Sequence, residues 1–183
     1  LFDIFDDDDY HLALAKETHN FQIEVNSKQS TFGFEYNKKH FFPYGYYLTP
    51  QTDESHVSIY GFSEMNLVNS NMDILSSFRL GYLEVNPNNV DQLQYLNLDS
   101  AEVKKRNFST ISFSTGMIKK FNKFEFNSWI MHTMRPPRVE ELYSDGPHLG
   151  TYAYEIGNPT LKTEKIYGIE NSLKFHDEII DFS

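Results

Sequence analysis

Histidine and aspartate are the residues of this chain best suited to chemistry. His11, His40, His56 and His148 are spread along it, and Asp6, Asp7, Asp8 and Asp9 lead directly to Tyr10 and His11. Imidazole ligates zinc, copper and nickel, and carboxylates add charge and oxygen donors. No pair of these histidines has a compact spacing, so a metal site has to be assembled across loops. The Asp run lacks the glycine and closing glutamate of an EF-hand loop. It reads either as a solvated acidic loop or as a device that raises the local concentration of a divalent cation. Cysteine is absent, which removes disulfides, thiolate metal sites and cysteine nucleophiles. A Gly-rich phosphate loop, a nucleophile elbow and a His-Glu-x-x-His pattern are missing too. The chain is not expected to be an enzyme.

The elements that must position these groups read as β-strands. Apolar and polar residues alternate over Asn20–Val25, Thr31–Asn37, Met72–Tyr82, Thr110–Ile118, Phe124–Thr133 and Ile166–Phe175, while His56–Glu64 is ambiguous. Phe21, Ile23 and Val25 share one face of the first; Asn20, Gln22 and Glu24 share the other. Such period-two alternation next to tight turns is an antiparallel hairpin signal. The joints alternate in length. Asn26–Gln29, Val68–Asn71, Lys120–Lys123 and Phe175–Glu178 are tight, whereas roughly Lys38–Ser55, Glu84–Asn107 and Met134–Lys165 are long. A meander with one tidy rim and one ragged rim is the build of a transmembrane β-barrel, with short periplasmic turns and longer outer loops.

Composition agrees. The 183 residues carry a formal net charge of −10, against the basic face that nucleic acid requires. No run nears the ~18 apolar residues of a membrane helix, but barrel strands meet lipid with alternate residues only and look hydrophilic on average. The polar faces are rich in Ser, Thr, Gly, Asn, Gln and Glu, as a wet lumen requires. Phe41, Phe42, Tyr44, Tyr46, Tyr47, Phe121 and Phe124 crowd the strand ends, where an interfacial aromatic girdle sits. The expectation is all-β: an antiparallel transmembrane β-barrel meander, partial, of about seven to eight strands. An open sheet leaves edges that a bilayer cannot satisfy, and Glu178–Ser183 reads as an interrupted strand, so the chain reads as part of a longer protein. Loop polarity puts His11, His40, His56, His148 and the Asp run on or near the outer rim, and His176 in a periplasmic turn. His132 reads as an interfacial residue.

The segment from Arg135 to Glu164 resembles the late barrel loop of TonB-dependent outer-membrane receptors. Their pattern there is an Arg-Ala-Pro start, a Glu-Leu pair, then Gly-Asn-Pro-x-Leu-x-x-Glu opening the next strand. The matching residues are Arg135, Pro137, Glu141, Leu142, Gly157, Asn158, Pro159, Leu161 and Glu164, with Pro136 where the family usually has Ala. The run Leu142, Tyr143, Ser144, Asp145, Gly146, Pro147, His148, followed by Tyr154, Glu155, Ile156, Gly157, looks like the subgroup associated with zinc, and in places copper or haem, uptake. The resemblance implies the later part of a barrel of about 22 strands, with the plug domain and TonB box outside this sequence.

It also implies function: an outer-membrane receptor that binds a scarce nutrient, a divalent metal such as zinc first, and imports it with TonB-derived energy. Haem or a ferric siderophore is the alternative within the fold, and a soluble secreted β-sandwich binding module the alternative outside it. No tightly bound cofactor is expected; zinc or an iron complex is cargo. The partners implied are the TonB system, outer-membrane lipid and the metal ligand. From the residues alone, Gly146-Pro147 and Gly157-Asn158-Pro159 are turn makers, and Pro136-Pro137 ends ladder pairing. Glu141, Glu155 and Glu164 with Arg135, Arg138 and Lys162 offer charge pairs to pin the loop. Most of the loop reads equally as scaffold without ligand contact. His148 is either a ligand or a hydrogen-bond partner of the loop backbone.

Overall fold

The computed structural model describes residues 12–45, 49–90, 97–148, 153–176 and 181–182. Strands β1 (Leu12–Asn26), β2 (Ser30–Gly45), β3 (Gln51–Leu67), β4 (Met72–Asn88), β5 (Arg106–Phe121) and β6 (Phe124–Arg135) follow one another as a meander. Helix α1 (Val139–Tyr143) and the strands β7 (Asp145–His148) and β8 (Ala153–Ile156) come next, before β9 (Glu164–His176) and β10 (Asp181–Phe182). One eight-stranded sheet has the order β1-β2-β3-β4-β5-β6-β9-β10, and β7 and β8 form a separate hairpin. The expected all-β antiparallel meander is the fold found.

Register explains the two faces. Ile23, Phe34, Ile59, Leu80 and Ile111 stand in one row across β1–β5. Gln22, Glu35, Ser58 and Gly81 stand in the neighbouring row on the other side. The apolar face is bare: Phe21 is 54% exposed, Phe113 47%, Leu173 56% and Ile169 78%. Among the described residues no second sheet covers these side chains, so the sandwich alternative has no counterpart in the structure. The opposite, inner face carries Arg79, whose guanidinium donates to Glu35 Oε2 at 2.9 Å and Ser58 Oγ at 3.0 Å and lies over the Tyr60 ring. Tyr60 in turn covers Gly33, where any Cβ would collide with the phenol ring.

The strands run further than the apolar pattern indicates. β3 and β4 are 17 residues each, about 58 Å at ~3.4 Å per residue, against an apolar band about 25 Å tall. Even tilted by ~40° they rise well clear of lipid. The ambiguous His56–Glu64 segment is the centre of β3, and the joint expected over Lys38–Ser55 contracts to residues 46–50. His40 and His56 therefore lie in strands, not loops. Above the lipid both faces are wet, so alternation disappears while the backbone ladder continues. Cross-strand charges hold it there: Lys39 pairs with Glu54 at 3.5 Å, and His40 with Asp53. His176 closes β9 and pairs with Asp181 instead of lying in the turn.

The tight rim is built as its residues dictate. Asn71 and Asn122 adopt φ of 47° and 55°, the left-handed region that asparagine tolerates, and close the β3–β4 and β5–β6 connections. Replacing Leu80, at the middle of the apolar face, by Arg is expected to destabilise the receptor by about 2–4 kcal/mol. Ser114→Asn on the inner face should stay within about 0.5 kcal/mol. Denaturant unfolding of the receptor refolded in lipid vesicles measures both, and equal effects would refute the assignment of faces.

Candidate functional site

The first part of the segment between β6 and β9 folds back over the inner face of the sheet. Pro136 and Pro137 end ladder pairing, because proline brings no N–H to the sheet, and α1 then turns back against the inner wall. Val139, Leu142 and Tyr143 of α1 pack with Leu83 and Val85 of β4, Phe108 of β5 and Val103 from the β4–β5 connection. This is the buried apolar cluster of the described residues, with Leu142 and Tyr143 both at 0% exposure. Burial on that scale contributes about 1.5–3 kcal/mol per large side chain. The Tyr143 hydroxyl donates to the Lys104 carbonyl at 2.7 Å, and burial pushes its pKa up to about 12, so it stays a donor.

Two polar clamps add to this cluster. Arg135, the last residue of β6, is bidentate to Glu141 (3.1 Å to each oxygen) and reaches Glu164 Oε2 at 2.9 Å. One guanidinium thus ties the start, middle and end of the loop. The bonds from Arg135, with the Arg138 backbone N–H, hold the Glu141 carboxyl below its usual range. Glu155 and Lys162 take no part in these pairs. The second clamp is Asp145. Burial raises its pKa, but four bonds outweigh that and leave it lowered. Its carboxylate accepts from the Asn97 side chain and backbone (2.8 Å each), the Leu98 N–H (3.0 Å) and the Tyr154 hydroxyl (3.0 Å). Two neighbouring outer loops are thereby joined.

Gly157 completes the seat. Its N–H donates to the Ser144 carbonyl at 2.6 Å and the Asn158 N–H to the Glu141 carbonyl at 2.8 Å. An added Cβ at Gly157 would lie 2.7 Å from the Leu142 carbonyl carbon and the Tyr143 nitrogen, so only glycine fits against α1. Pro159 and Leu161 follow, and the Leu161 carbonyl accepts from Arg106 at 3.0 Å. Gly146 and Pro147 fall in β7, opposite Glu155 and Tyr154, and not in a free turn.

Between this roof and the inner faces of β1–β5 lies a cleft of about 560 Å³, lined among others by Lys16, Lys39, Glu54, His56, Arg79 and Arg138. His56 of the histidines considered above thus reaches the cleft. His40 points to the opposite face, where it meets Asp53, whose other oxygen accepts from Asn88 at 3.0 Å. His148 sits at the end of β7 opposite Ala153. His11 and Asp6, Asp7, Asp8 and Asp9 lie outside the described residues. Among the described residues no three His, Asp or Glu side chains are placed to share a metal ion. His132 stands on the outer face, 8% exposed, stacked on Tyr167 with ring centroids 4.5 Å apart. Asp145 and Lys16 are not singled out by the sequence patterns, and Arg138 is expected there only as a charge that pins the loop. Asp145 sits just before Gly146-Pro147, and that position inside the motif was its one signal.

An antiparallel sheet, apolar outside and polar within, with a clamped loop over its inner face, is the wall of a transmembrane β-barrel. Comparison with known families narrows this: residues 2–183 match the family described as TonB dependent receptor-like, beta-barrel. The chain belongs to that family, whose barrels are outer-membrane receptors for nutrient import, transporters and not enzymes. The match singles out no zinc or haem subgroup. No curated protein matches the chain.

Because the Asp145 pKa is lowered on folding, its contribution is present above the ordinary carboxylate value of 3.8 and is lost as pH falls through the lower folded value. Hydrogen exchange at the Asn97 and Leu98 amides, taken relative to the intrinsic rate at each pH, should accordingly stay slow at neutral pH and accelerate in acid. Asp145→Asn should accelerate it at neutral pH, by removing charge-assisted bonds worth about 1.5–3 kcal/mol each. Protection that survives the substitution would remove Asp145 as the tether.

Proposed function

We propose that this chain forms wall and outer rim of a receptor that takes up a metal nutrient already wrapped in an organic carrier, a ferric chelate or haem, with energy delivered by TonB. The observation that carries this reading is the cleft under the clamped loop: about 560 Å³, within the ~300–1,000 Å³ range of small-molecule sites. A bare ion needs three or four convergent donors instead, and the described residues do not bring such a set together. The metal is cargo, and no resident cofactor is invoked. β1 and β10 have no outer neighbours among the described residues. Since a bilayer cannot satisfy an open edge, the wall is taken to be completed by further strands of the same receptor, about 22 in all, with the plug that answers TonB elsewhere in it.

Free zinc is the second reading. It is favoured by the net charge of −10, which draws cations, and by the position of His148 at the end of β7. Its ligands are His148, His11 and Asp6–Asp9. The purified receptor, titrated with zinc chloride, haemin and ferric citrate, separates the two. Tight binding of an iron complex, with zinc affinity unmoved by His148→Ala together with alanine at Asp6–Asp9, is the expected result. Zinc binding that collapses in that variant, with neither iron complex bound, would reverse the order.

A further inference from the structure

We propose that His132, Tyr167 and Lys165 form a site on the outer face of the wall for a phosphate-bearing membrane lipid. The site is separate from the cleft, and the inference does not depend on which cargo the receptor carries. His132 stands directly opposite Phe113 on β5 and Tyr167 on β9, with their ring centroids 5.5 and 4.5 Å from its own. The imidazole is 8% exposed, and its Nδ1 is enclosed without a hydrogen-bond partner. A buried polar atom in that state is costly and calls for an explanation. An imidazole carries a proton on at least one nitrogen. With no acceptor at Nδ1, that proton belongs on Nε2, which also lacks a partner among the described residues. Its N–H is left for a group from outside the chain.

Its place in the sheet says what that group is. Toward the tight rim the same face carries exposed Ile130, Ile169 and Leu173. Toward the clamped loop the next residue of β9 on that face is Lys165, opposite Met134. Lys165 is exposed and is the one lysine, arginine or carboxylate that β6 and β9 turn outward. It has no ion pair among the described residues; Glu164 faces inward and is held by Arg135 at 2.9 Å. Tyr167 is 75% exposed, and its hydroxyl has no partner among the described residues either. The three groups therefore sit where the apolar band ends, the level at which headgroups begin and aromatic and basic anchors gather. There the β5–β6 ladder also stops, and the Ile111 N–H settles for the Met134 sulfur at 3.4 Å. A phosphate monoester supplies oxyanion acceptors for the imidazole N–H, the phenol and the ammonium. Acyl chains attached to it would lie along Ile130, Ile169 and Leu173. Free phosphate would leave that apolar surface bare, so the occupant is a lipid.

The test uses the intact receptor, with isotope-labelled histidine, in phosphatidylcholine vesicles. Phosphatidate and diacylglycerol of the same acyl chains, which differ by the phosphate alone, are added in turn. Solid-state NMR reads the His132 ring nitrogens, identified by the signals that His132→Phe removes. Phosphatidate should shift the Nε2 signal to saturation and give a phosphorus–nitrogen contact there. Lys165→Gln should weaken that saturation about tenfold, ~1.4 kcal/mol, and Lys165→Arg should stay within about twofold of the wild type. A signal that phosphatidate leaves unmoved, or that diacylglycerol moves equally, overturns the inference. So does a response that Lys165→Gln does not weaken. Inorganic phosphate that shifts Nε2 as strongly as phosphatidate would make this a free-phosphate site and overturn the lipid assignment.

Discussion

Backbone N–H and C=O groups have no water to turn to inside a bilayer, and each unpaired one costs several kcal/mol. Everything else in this structure depends on that. From β1 to β6 and on to β9, each strand bonds the next in antiparallel register. Once pairing is continuous, side chains must alternate between two solvents. Ile59 and Leu80 then face acyl chains while Ser58 and Arg79 face the lumen, and neither set can exchange without a slip of the whole strand. The wall is rigid because its hydrogen bonds have no alternative partner, and a rigid wall lets a loop be seated accurately at its mouth.

Pairing between β5 and β6 stops short of the strand ends. The β5–β6 ladder ends at Phe113 and His132, although β5 continues to Arg106 and β6 to Arg135. The Met134 N–H turns to the Ser112 hydroxyl instead of a backbone carbonyl. Side chains take over part of the role of the ladder there, and two prolines then carry the chain inward. The loop reaches its seat through that change of partner, and the buried faces of Leu142 and Tyr143 keep it there.

What the sequence made legible follows from the same division. Where lipid touches one face, the alternation of Phe, Ile and Leu with Ser, Asn and Glu was plain, and so were the asparagine turns. Above the lipid the signal failed. Lys38, Lys39 and His40 against Asp53, Glu54 and Ser55 read as loop because no face is apolar, yet they pair as strands. The loop motif announced Arg135, Glu141 and Glu164 as charges. It did not announce that one arginine takes both glutamates, a three-dimensional outcome of where Pro136 and Pro137 point. Asp145 was legible only as a polar residue in a turn-rich string, since its partners Asn97 and Leu98 are nearly 50 residues away.

The clamps also bear on how such a mouth can work. The roof is held by an apolar cluster and by a carboxylate with the donors named above, each in the range of about 1–3 kcal/mol, with a bidentate arginine fixing its geometry. Their partners are distributed over β4, β5, β6, β9 and the connection between β4 and β5. Lifting the roof would break them together, which a small ligand's weak first contacts cannot offset. A loop secured in this way acts by its fixed shape and charge. On the proposed reading, discrimination between ligands lies in the cleft's outline, while any movement that passes cargo inward occurs in parts of the receptor that the roof does not hold.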